Sequence, residues 1–384
     1  MRYDEECKYY KKCGACQLRN MTYEEQLSFK MSRVIKLLGK YCHVDEIVPM
    51  ANPSAYRNKA QAAFFEQNGK VAYGIYQSSS GKVIRCEGCP VETPAAWELF
   101  SGIKNIMNEL KLRAFDPATG RGFLRHVLIR QGFSTGDIMV ALVGAGPIFP
   151  KEKLFVTLLT ERFPQITTVV YNVNDTDVPL WLTENERVLY GSGYITDVLC
   201  GRVFRISSRS FYQINPVQTG KLYSKAVELA GLTGSERVFD AYSGIGTIGI
   251  VASRNASKVV CVESNRAAVE DGIWNVKCNG IGNVRFYAAD AAKYIRGAVS
   301  RGEKFDAVFV DPPRAGCSRE FLSGLTSLGP KKIVYISCNP ETLARDLVQL
   351  RGKYKVRRIV PFDMFPHTNH CEVVVSMSRV GSKL

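Results

Sequence analysis

The stretch VFDAYSGIGTIGI, residues 238–250, decides the fold that we expect for this 384-residue chain. Its first five residues predict a buried strand, and its glycine-rich half opens the helix that follows. Gly244, Gly246 and Gly249 match the G-x-G-x-x-G spacing, which lets a backbone approach a nucleotide cofactor closely. The pattern fits a dinucleotide and S-adenosylmethionine equally well. It also fits a glycine-rich turn that serves only close packing.

The chain around this stretch alternates strands and helices from about residue 203 to its end. The predicted strands are 237–241, 258–263, 284–287, 306–310, 332–337, 355–360 and 372–378. Such alternation indicates a Rossmann-like α/β fold, with a mostly parallel seven-stranded sheet covered by helices on both faces. The last connection is too short for a helix, so we expect the final strand to be antiparallel.

Carboxylates follow three of the predicted strands. Glu263 lies about 20 residues after the glycine loop, where a carboxylate can accept bonds from both hydroxyls of a ribose. Asp290 can reach an adenine amino group, and Asp311 begins a D-P-P-R sequence whose prolines stiffen a loop at the ligand-binding edge of the sheet. A methyltransferase has to hold a flat base there, whereas a dehydrogenase has no evident use for such a loop. The pattern therefore favours S-adenosylmethionine over a nicotinamide cofactor.

A cysteine, Cys338, lies between the predicted strand at 332–337 and a helix that Asn339 and Pro340 begin. Amide groups at a helix N-terminus favour an anion, so we expect a thiolate here. A thiolate that adds to C6 of uracil makes C5 nucleophilic enough to accept a methyl group. Glu372 is the candidate base that then removes the C5 proton. Taken singly, the thiol also fits an inert core cysteine, and the carboxylate also fits a solvated side chain.

Cysteines also cluster near the N-terminus. Cys7, Cys13 and Cys16 are spaced C-x5-C-x2-C, and Cys86 with Cys89 forms a second C-x2-C pair. The two C-x2-C pairs together would suit a four-thiolate zinc site. The N-terminal triplet with the later Cys-Pro at 89–90 would suit an iron-sulfur cluster. The spacing leaves both metals open, but a chain with 12 cysteines and no export signal is not expected to use them as disulfides.

The charge of the chain points to a polyanionic partner. Lys and Arg number 51 against 36 Asp and Glu, a net charge of +15. The β-rich stretch 49–200 interleaves cationic side chains with aromatic ones, as RNA-binding surfaces do. The cationic residues are Arg57, Lys59, Arg121, Arg125, His126 and Arg130. Exposed strand faces can have the same composition without binding RNA.

Three segments are predicted. They are an N-terminal cysteine cluster with a docking helix (1–48), a central α+β domain (49–200) and the α/β domain (203–384). The docking helix is predicted at 22–38 from a capping box and an apolar face. The chain has no run of about 18 apolar residues and no signal-peptide core, so we expect no membrane span and a cytoplasmic location.

Five motifs occur along the chain in the order SFYQINPVQT, FDAYSGIGTIGI, DPPRAGC, SCNPETLARDL and FDMFPHTNHCEVV. The same order is found in the RNA uracil-5-methyltransferase family, which the chain resembles over nearly its whole length. The resemblance implies a class I methyltransferase fold, S-adenosylmethionine as cofactor and RNA as substrate. It implies Cys338 as nucleophile and Glu372 as general base. The implied cofactor contacts are Gln213, Tyr242, Gly244, Gly246, Thr247, Glu263, Asp290 and Asp311. The implied ligands of a 4Fe-4S cluster are Cys7, Cys13, Cys16 and Cys89, which leaves Cys86 unassigned.

The resemblance also ranks the substrates. Cytosine-5 RNA methyltransferases resemble one another in carrying a second cysteine directly after a proline in the loop that here reads D-P-P. This chain has Pro313 at that position, so we expect its target base to be uracil rather than cytosine. The cysteine cluster resembles the branch that acts on 23S rRNA more than the branch that acts on the tRNA T-loop. Many members begin with a small β-barrel, for which the six residues before Cys7 leave no room, so we expect the central domain to hold the RNA.

Two other classes of function stay open at this point. One is a nicotinamide-dependent oxidoreductase with an iron-sulfur centre, which the glycine loop and the cysteines also fit. The other is an RNA-binding protein without catalytic activity on a methyltransferase fold. We expect a monomer without an obligate protein partner.

Overall fold

A computed structural model describes residues 7–176 and 182–381 of the chain. Its helices are α1 (Tyr10–Cys13), α2 (Tyr23–Leu38), α3 (Pro94–Glu109), α4 (Glu152–Arg162), α5 (Pro216–Ala230), α6 (Thr247–Ala252), α7 (Arg266–Cys278), α8 (Ala291–Ser300), α9 (Arg319–Leu328) and α10 (Pro340–Leu350). Its strands are β1 (Lys59–Gln67), β2 (Lys70–Tyr76), β3 (Val83–Arg85), β4 (Leu124–Gln131), β5 (Ile138–Gly144), β6 (Ile166–Val173), β7 (Glu186–Tyr190), β8 (Tyr194–Leu199), β9 (Arg202–Ser207), β10 (Arg237–Ala241), β11 (Lys258–Glu263), β12 (Val284–Ala288), β13 (Ala307–Val310), β14 (Lys332–Ser337), β15 (Tyr354–Phe362) and β16 (Glu372–Arg379).

The chain forms two compact units. The first unit comprises the described residues of Met1–Asn20, Asn52–Val198 and Arg205–Arg209, and the second those of Met21–Ala51, Leu199–Phe204 and Ser210–Leu384. The predicted domains at 1–48, 49–200 and 203–384 stay a prediction, and their residues 1–6, 177–181 and 382–384 lie outside the described ranges. The docking helix α2 is grouped with the second unit.

The second unit contains a seven-stranded sheet in the order β12-β11-β10-β13-β14-β16-β15. The first five strands in this order pair in parallel. Strand β16, the last in the sequence, lies between β14 and β15 and is antiparallel to both. Each strand lies within two residues of its predicted bounds. The predicted α/β fold and the antiparallel final strand are therefore confirmed.

Helix α2 belongs to the core of the second unit. It begins at a capping box, in which the Thr22 side chain accepts a bond from the Glu25 N–H and the Glu25 side chain accepts one from the Thr22 N–H. Val34 and Leu38 are fully buried and join the core around the seven-stranded sheet. Burial of this apolar face fixes α2 in the second unit, and the helix also buries the polar side chains of Gln26 and Lys30.

The first unit is an α+β fold around a second seven-stranded sheet, in the order β3-β2-β1-β4-β5-β6-β7. Its strands are antiparallel except for β5 and β6, which are parallel because α4 connects them. Helix α3 contributes Phe100, Ile103 and Ile106 to the buried cluster of this unit. Among the described residues no helix is long and apolar enough to cross a membrane.

Candidate functional site

The seven-stranded sheet of the second unit collects the predicted cofactor residues at one edge. Glu263 is the last residue of β11, and Asp290 and Asp311 follow β12 and β13. The glycine loop follows β10, which lies between β11 and β13. Because these four strands are parallel, all of these groups lie at the carboxyl edge of the sheet, where α/β proteins bind ligands.

Gly244 and Gly246 of the loop are glycines for different physical reasons. Both adopt the left-handed conformation, with φ of +55° at Gly244 and +82° at Gly246. A Cβ on Gly246 would lie 2.3 Å from Cζ of Phe286, so this glycine allows close packing. A Cβ on Gly244 would meet nothing within 4 Å, so the loop is open there. The Gly244 N–H donates to Oε2 of Glu263 at 3.1 Å, which ties the loop to the end of β11.

The loop offers open space and a polar group that no other described residue uses. Beside the open space at Gly244, the buried hydroxyl of Ser243 has no hydrogen-bond partner. Tyr242 adopts a positive φ of +61°, a conformation that is strained for a side-chain-bearing residue and that turns the chain sharply after β10. An open, polar, strained loop beside Glu263 is the kind of surface that a nucleoside with a charged amino-acid tail requires.

We expect Gly244→Ala to weaken S-adenosylmethionine binding at least about tenfold, because the new methyl group would occupy the open space of the loop. Gly280→Ala is the matched control, because Gly280 also has a positive φ, of +63°, and no atom within 4 Å of a Cβ. Each change should cost about 1 kcal/mol of stability from left-handed strain. Calorimetric titration with the cofactor and thermal unfolding measure the two effects, and equal affinities for the two variants would contradict the prediction.

The predicted nucleophile and base lie at the same end of one strand pair. Ser337 of β14 pairs with Val373 of β16 in antiparallel register. Cys338 follows Ser337, and Glu372 precedes Val373, so the two side chains are carried by neighbouring strands at the edge of the sheet that also holds Asp311. The structure therefore brings together residues that are 34 positions apart in the sequence.

Both carboxyl groups of this site hold their protons more tightly than usual. Burial raises the pKa of Asp311 to about 7. Burial, followed by the charge of Asp311, raises the pKa of Glu372 well above its ordinary value, and Arg314 opposes that shift. Glu372 is only 3% exposed, and its Oε2 has no hydrogen-bond partner. A buried carboxyl group with a free oxygen is a strong base once it is ionised.

The thiol of Cys338 does not have the lowered pKa that its place before a helix led us to expect. Burial raises its pKa to about 12, and the charges of Glu372 and Asp311 raise it further, while Arg314 lowers it. The amide groups of α10 are partly used by the cap, since Oδ1 of Asn339 accepts a bond from the Glu341 N–H. Burial and two carboxylates from other strands thus outweigh the helix terminus, and the resting side chain is a thiol.

A tyrosine that the sequence did not single out lies between the two halves of the site. Tyr223 of α5 is buried, and burial is the first cause of its raised pKa. Hydrogen bonds with Thr247 and Gln213 lower that pKa, while the charges of Asp311 and Glu372 raise it. Tyr223 therefore links two predicted cofactor residues to the predicted catalytic carboxylates. Its sequence signal is that of any core aromatic residue on an amphipathic helix, which is why it was missed.

The cysteines of the first unit are free thiols, as are all twelve in the chain. In its ionised form Cys7 would raise the pKa of Cys13, Cys16 and Cys86, and ionised Cys16 would raise the pKa of Cys89, so the five side chains lie near one another. Their donor chemistry suits iron or zinc. Within residues 7–176 and 182–381, however, no group of three or more His, Cys, Asp or Glu side chains is arranged to hold a metal ion.

The cationic residues of the first unit include a pair of like charges on neighbouring strands. Lys59 of β1 lies directly opposite Arg130 of β4. Burial, followed by Arg130 and Arg57, lowers the pKa of Lys59 to about 8. Like charges opposite one another destabilise a sheet unless an anion compensates them. Nearby on the same sheet, the hydroxyl of Tyr76 and Nε2 of His126 are 2.8 Å apart.

Comparison with protein families and relatives gives one consistent result. The family model for tRNA (uracil-5-)-methyltransferase matches residues 182–380. A protein of Oceanobacillus iheyensis named "uncharacterized RNA methyltransferase" is 40% identical over 373 residues, which are 95% of this chain and 81% of that protein. A protein of Clostridium acetobutylicum with the same description is 39% identical over 382 residues, 97% of this chain and 83% of its own length.

A solved structure is similar over nearly the whole chain. It is the crystal structure of Pyrococcus abyssi tRNA (uracil-54, C5)-methyltransferase in complex with S-adenosyl-L-homocysteine. The two chains are 29% identical, with a TM-score of 0.80, and the similarity covers 94% of this chain and 85% of that one.

Proposed function

Because this chain belongs to the tRNA (uracil-5-)-methyltransferase family and is an S-adenosylmethionine-dependent RNA (uracil-C5)-methyltransferase, we propose that it methylates a uridine of 23S rRNA through a covalent bond to Cys338. The observation that carries this proposal is the position of Cys338 and Glu372 at one end of the β14–β16 pair. Membership of the family makes a nicotinamide-dependent oxidoreductase untenable.

The proposed reaction divides two tasks between Cys338 and Glu372. The thiol of Cys338 releases its proton to solvent as its sulfur bonds to C6 of the uracil ring, which turns C5 into a nucleophile. Bound S-adenosylmethionine supplies an electrophilic methyl group, and C5 then carries both a methyl group and a proton. Glu372 removes that proton, the C5=C6 double bond returns, and the sulfur leaves as a thiolate. The proton that Glu372 takes up then returns the thiolate to a thiol, so that each turnover replaces the C5 proton by a methyl group and releases one proton to solvent.

The residues around the glycine loop would hold the cofactor. We assign the loop at Gly244, Gly246 and Thr247, together with Glu263, to the nucleoside and the amino-acid tail. We assign the other contacts to Gln213, Tyr242, Asp290 and Asp311. The target base has to leave its helix or loop for Cys338 to reach C6, so the substrate is a flipped or unpaired uridine.

The choice of RNA is part of the proposal. The C-x5-C-x2-C spacing of the first unit resembles the ribosomal branch, and this favours 23S rRNA. The second candidate is a uridine of the tRNA T-loop, which the Pyrococcus abyssi relative favours, since its described substrate is uracil 54 of tRNA. We assign RNA contacts to the first unit, and we place the protein in the cytoplasm, where both RNAs are found.

To test the proposed function, anaerobically purified protein is incubated with methyl-labelled S-adenosylmethionine and an unmodified RNA. The RNA is 23S rRNA in one reaction and tRNA in the other. The labelled nucleoside is then identified after digestion. We expect 5-methyluridine from the 23S rRNA. The same nucleoside from tRNA alone would select the second candidate, and no label in either RNA would contradict the proposed function.

We also propose that Cys7, Cys13, Cys16 and Cys89 hold a 4Fe-4S cluster that orders the first unit. The competing zinc site would use Cys86 in place of Cys7, so one substitution in each set distinguishes the two. The thiol of Cys86 is buried and donates to the carbonyl oxygen of Gly88 at 3.2 Å, a contact that a structural cysteine can make without a metal.

We expect Cys7→Ser to lose most of the bound iron and sulfide, and Cys86→Ser to keep them, because only the first change removes a ligand of the cluster. Metal and sulfide contents of anaerobically purified proteins measure this directly. A protein that contains zinc, and loses it in Cys86→Ser but not in Cys7→Ser, would show that the four-thiolate zinc site is correct. The wild-type protein is the control for both.

A further inference from the structure

A guanidinium on α2 joins the two segments that carry the proposed catalytic residues. Nη2 of Arg33 donates to Oε1 of Glu341 at 2.9 Å, and Nη1 donates to the carbonyl oxygen of Asn369 at 3.1 Å. Glu341 lies in the first turn of α10, three residues after Cys338. Asn369 lies in the loop between β15 and β16, three residues before Glu372. All five residues belong to the second unit.

The same side of α2 holds the rest of the β15–β16 loop. Nζ of Lys30 lies 2.5 Å from Oδ1 of Asp363 in a fully buried ion pair, and it also donates to the carbonyl oxygen of Phe365 at 3.0 Å. The side-chain oxygen of Gln26 accepts a bond from the His367 N–H at 2.9 Å. His367 is buried with a φ of +68°, a strained conformation that these contacts hold in place.

The ion pairs of Lys30 and Arg33 differ in how much they contribute to the stability of the fold. The Lys30 ion pair lies in the core, where its loss would leave an uncompensated charge and destabilise the fold. The Arg33 side chain is 31% exposed, and its partner Glu341 is 61% exposed, so this ion pair contributes little to stability. Its two contacts instead define the distance between the start of α10 and the end of the β15–β16 loop. The guanidinium reaches its two partners with two different nitrogens, whereas a lysine would have to reach both with one.

We propose that Arg33 is a positioning residue for the methyl-transfer reaction, and that it sets the separation of Cys338 and Glu372 by binding Glu341 and Asn369 together. The inference rests on the proposed roles of Cys338 and Glu372. Without Arg33 both catalytic side chains are still present, but the β15–β16 loop can shift relative to α10 and change their separation. Proton removal by Glu372 then slows more than bond formation by Cys338, and the enzyme–RNA adduct persists.

The test compares Arg33→Met with Arg358→Met, which removes another half-exposed ion pair of the same unit, the one between Arg358 and Asp45. We expect both variants to unfold at the wild-type temperature. We expect only Arg33→Met to lose about tenfold in kcat, with an unchanged KM for S-adenosylmethionine and a larger denaturant-stable enzyme–RNA fraction. Arg33→Lys, which keeps the charge but offers a single nitrogen to the two partners, should recover part of kcat.

Equal kcat for Arg33→Met and Arg358→Met would overturn the inference. A loss of kcat that accompanies a lower unfolding temperature, without added adduct, would also overturn it, since that is the result of a purely structural role. Glu372→Gln is measured in parallel. If Glu372→Gln accumulates the enzyme–RNA adduct and Arg33→Met does not, the positioning role of Arg33 is wrong, while the proposed role of Glu372 as the base is supported. If Glu372→Gln and Cys338→Ala both turn over normally, the proposed catalytic roles fail, and the kcat of Arg33→Met still decides whether Arg33 matters.

Discussion

Cys338→Ala should lower kcat by at least about 10⁴-fold, the scale on which enzymes lose rate when their nucleophile is removed. Without the thiol no bond forms to C6, and C5 of uracil stays too weak a nucleophile to accept a methyl group. The change removes one atom from a partly buried side chain at the end of β14, and it leaves the glycine loop intact. Binding of S-adenosylmethionine should therefore be unchanged.

The control for this prediction is Cys278→Ala, which removes an exposed thiol at the end of α7. It should retain full activity. The measurement is the rate of 5-methyluridine formation in the substrate RNA under saturating cofactor. Full methyl transfer by Cys338→Ala would show that the covalent mechanism is wrong.

Glu372→Gln should allow bond formation and methyl transfer but stop release of the product. The amide cannot accept the C5 proton, so turnover should fall by about 10²- to 10⁴-fold, the usual contribution of a general base. Each enzyme molecule should transfer one methyl group and then stay bonded to the RNA through Cys338. Gel electrophoresis under denaturing conditions measures the bonded fraction, and a variant that releases methylated RNA at the wild-type rate would exclude Glu372 as the base.

The pH dependence of the wild-type enzyme follows from the raised pKa of Glu372. The base acts only when it is ionised, and a raised pKa means that the ionised fraction grows at higher pH than for an ordinary carboxyl group. Turnover should therefore rise with pH, and the single methyl transfer by Glu372→Gln should keep only the rise that ionisation of the Cys338 thiol causes.

Stability should change with pH in the opposite sense. Asp311, with a pKa of about 7 in the folded protein, binds its proton more tightly when folded than when unfolded. Its contribution to the free energy of unfolding is complete below about pH 4 and is lost as the pH rises through 7.

Most of the fold followed from local sequence patterns. The strands of the second unit alternate with helices, most of which begin at Asn, Asp or Ser caps, and such signals lie within a few residues of one another. The rule that parallel strands end at one edge then sufficed to place Glu263, Asp290 and Asp311 together. The register of β14 with β16, by contrast, became visible only in the structure, although the antiparallel direction was predictable from the short connection.

The electrostatics of the site were less predictable, because they depend on contacts between distant parts of the chain. The sequence shows that Cys338 precedes a helix, which lowers a thiol pKa. It does not show that burial and the carboxylates of Asp311 and Glu372 raise that pKa by more. The contact of Arg33 with Asn369 joins residues 336 positions apart, and no local pattern reports such a pair.

The division of labour between Cys338 and Glu372 is tested most directly by peptide mass analysis of Glu372→Gln after incubation with S-adenosylmethionine and RNA. Digestion with nuclease and trypsin should release the peptide of residues 333–345, in which Cys338 is the only cysteine. We expect this peptide to carry a methylated uridine nucleotide on Cys338. Methylated RNA together with an unmodified 333–345 peptide would contradict the proposed mechanism.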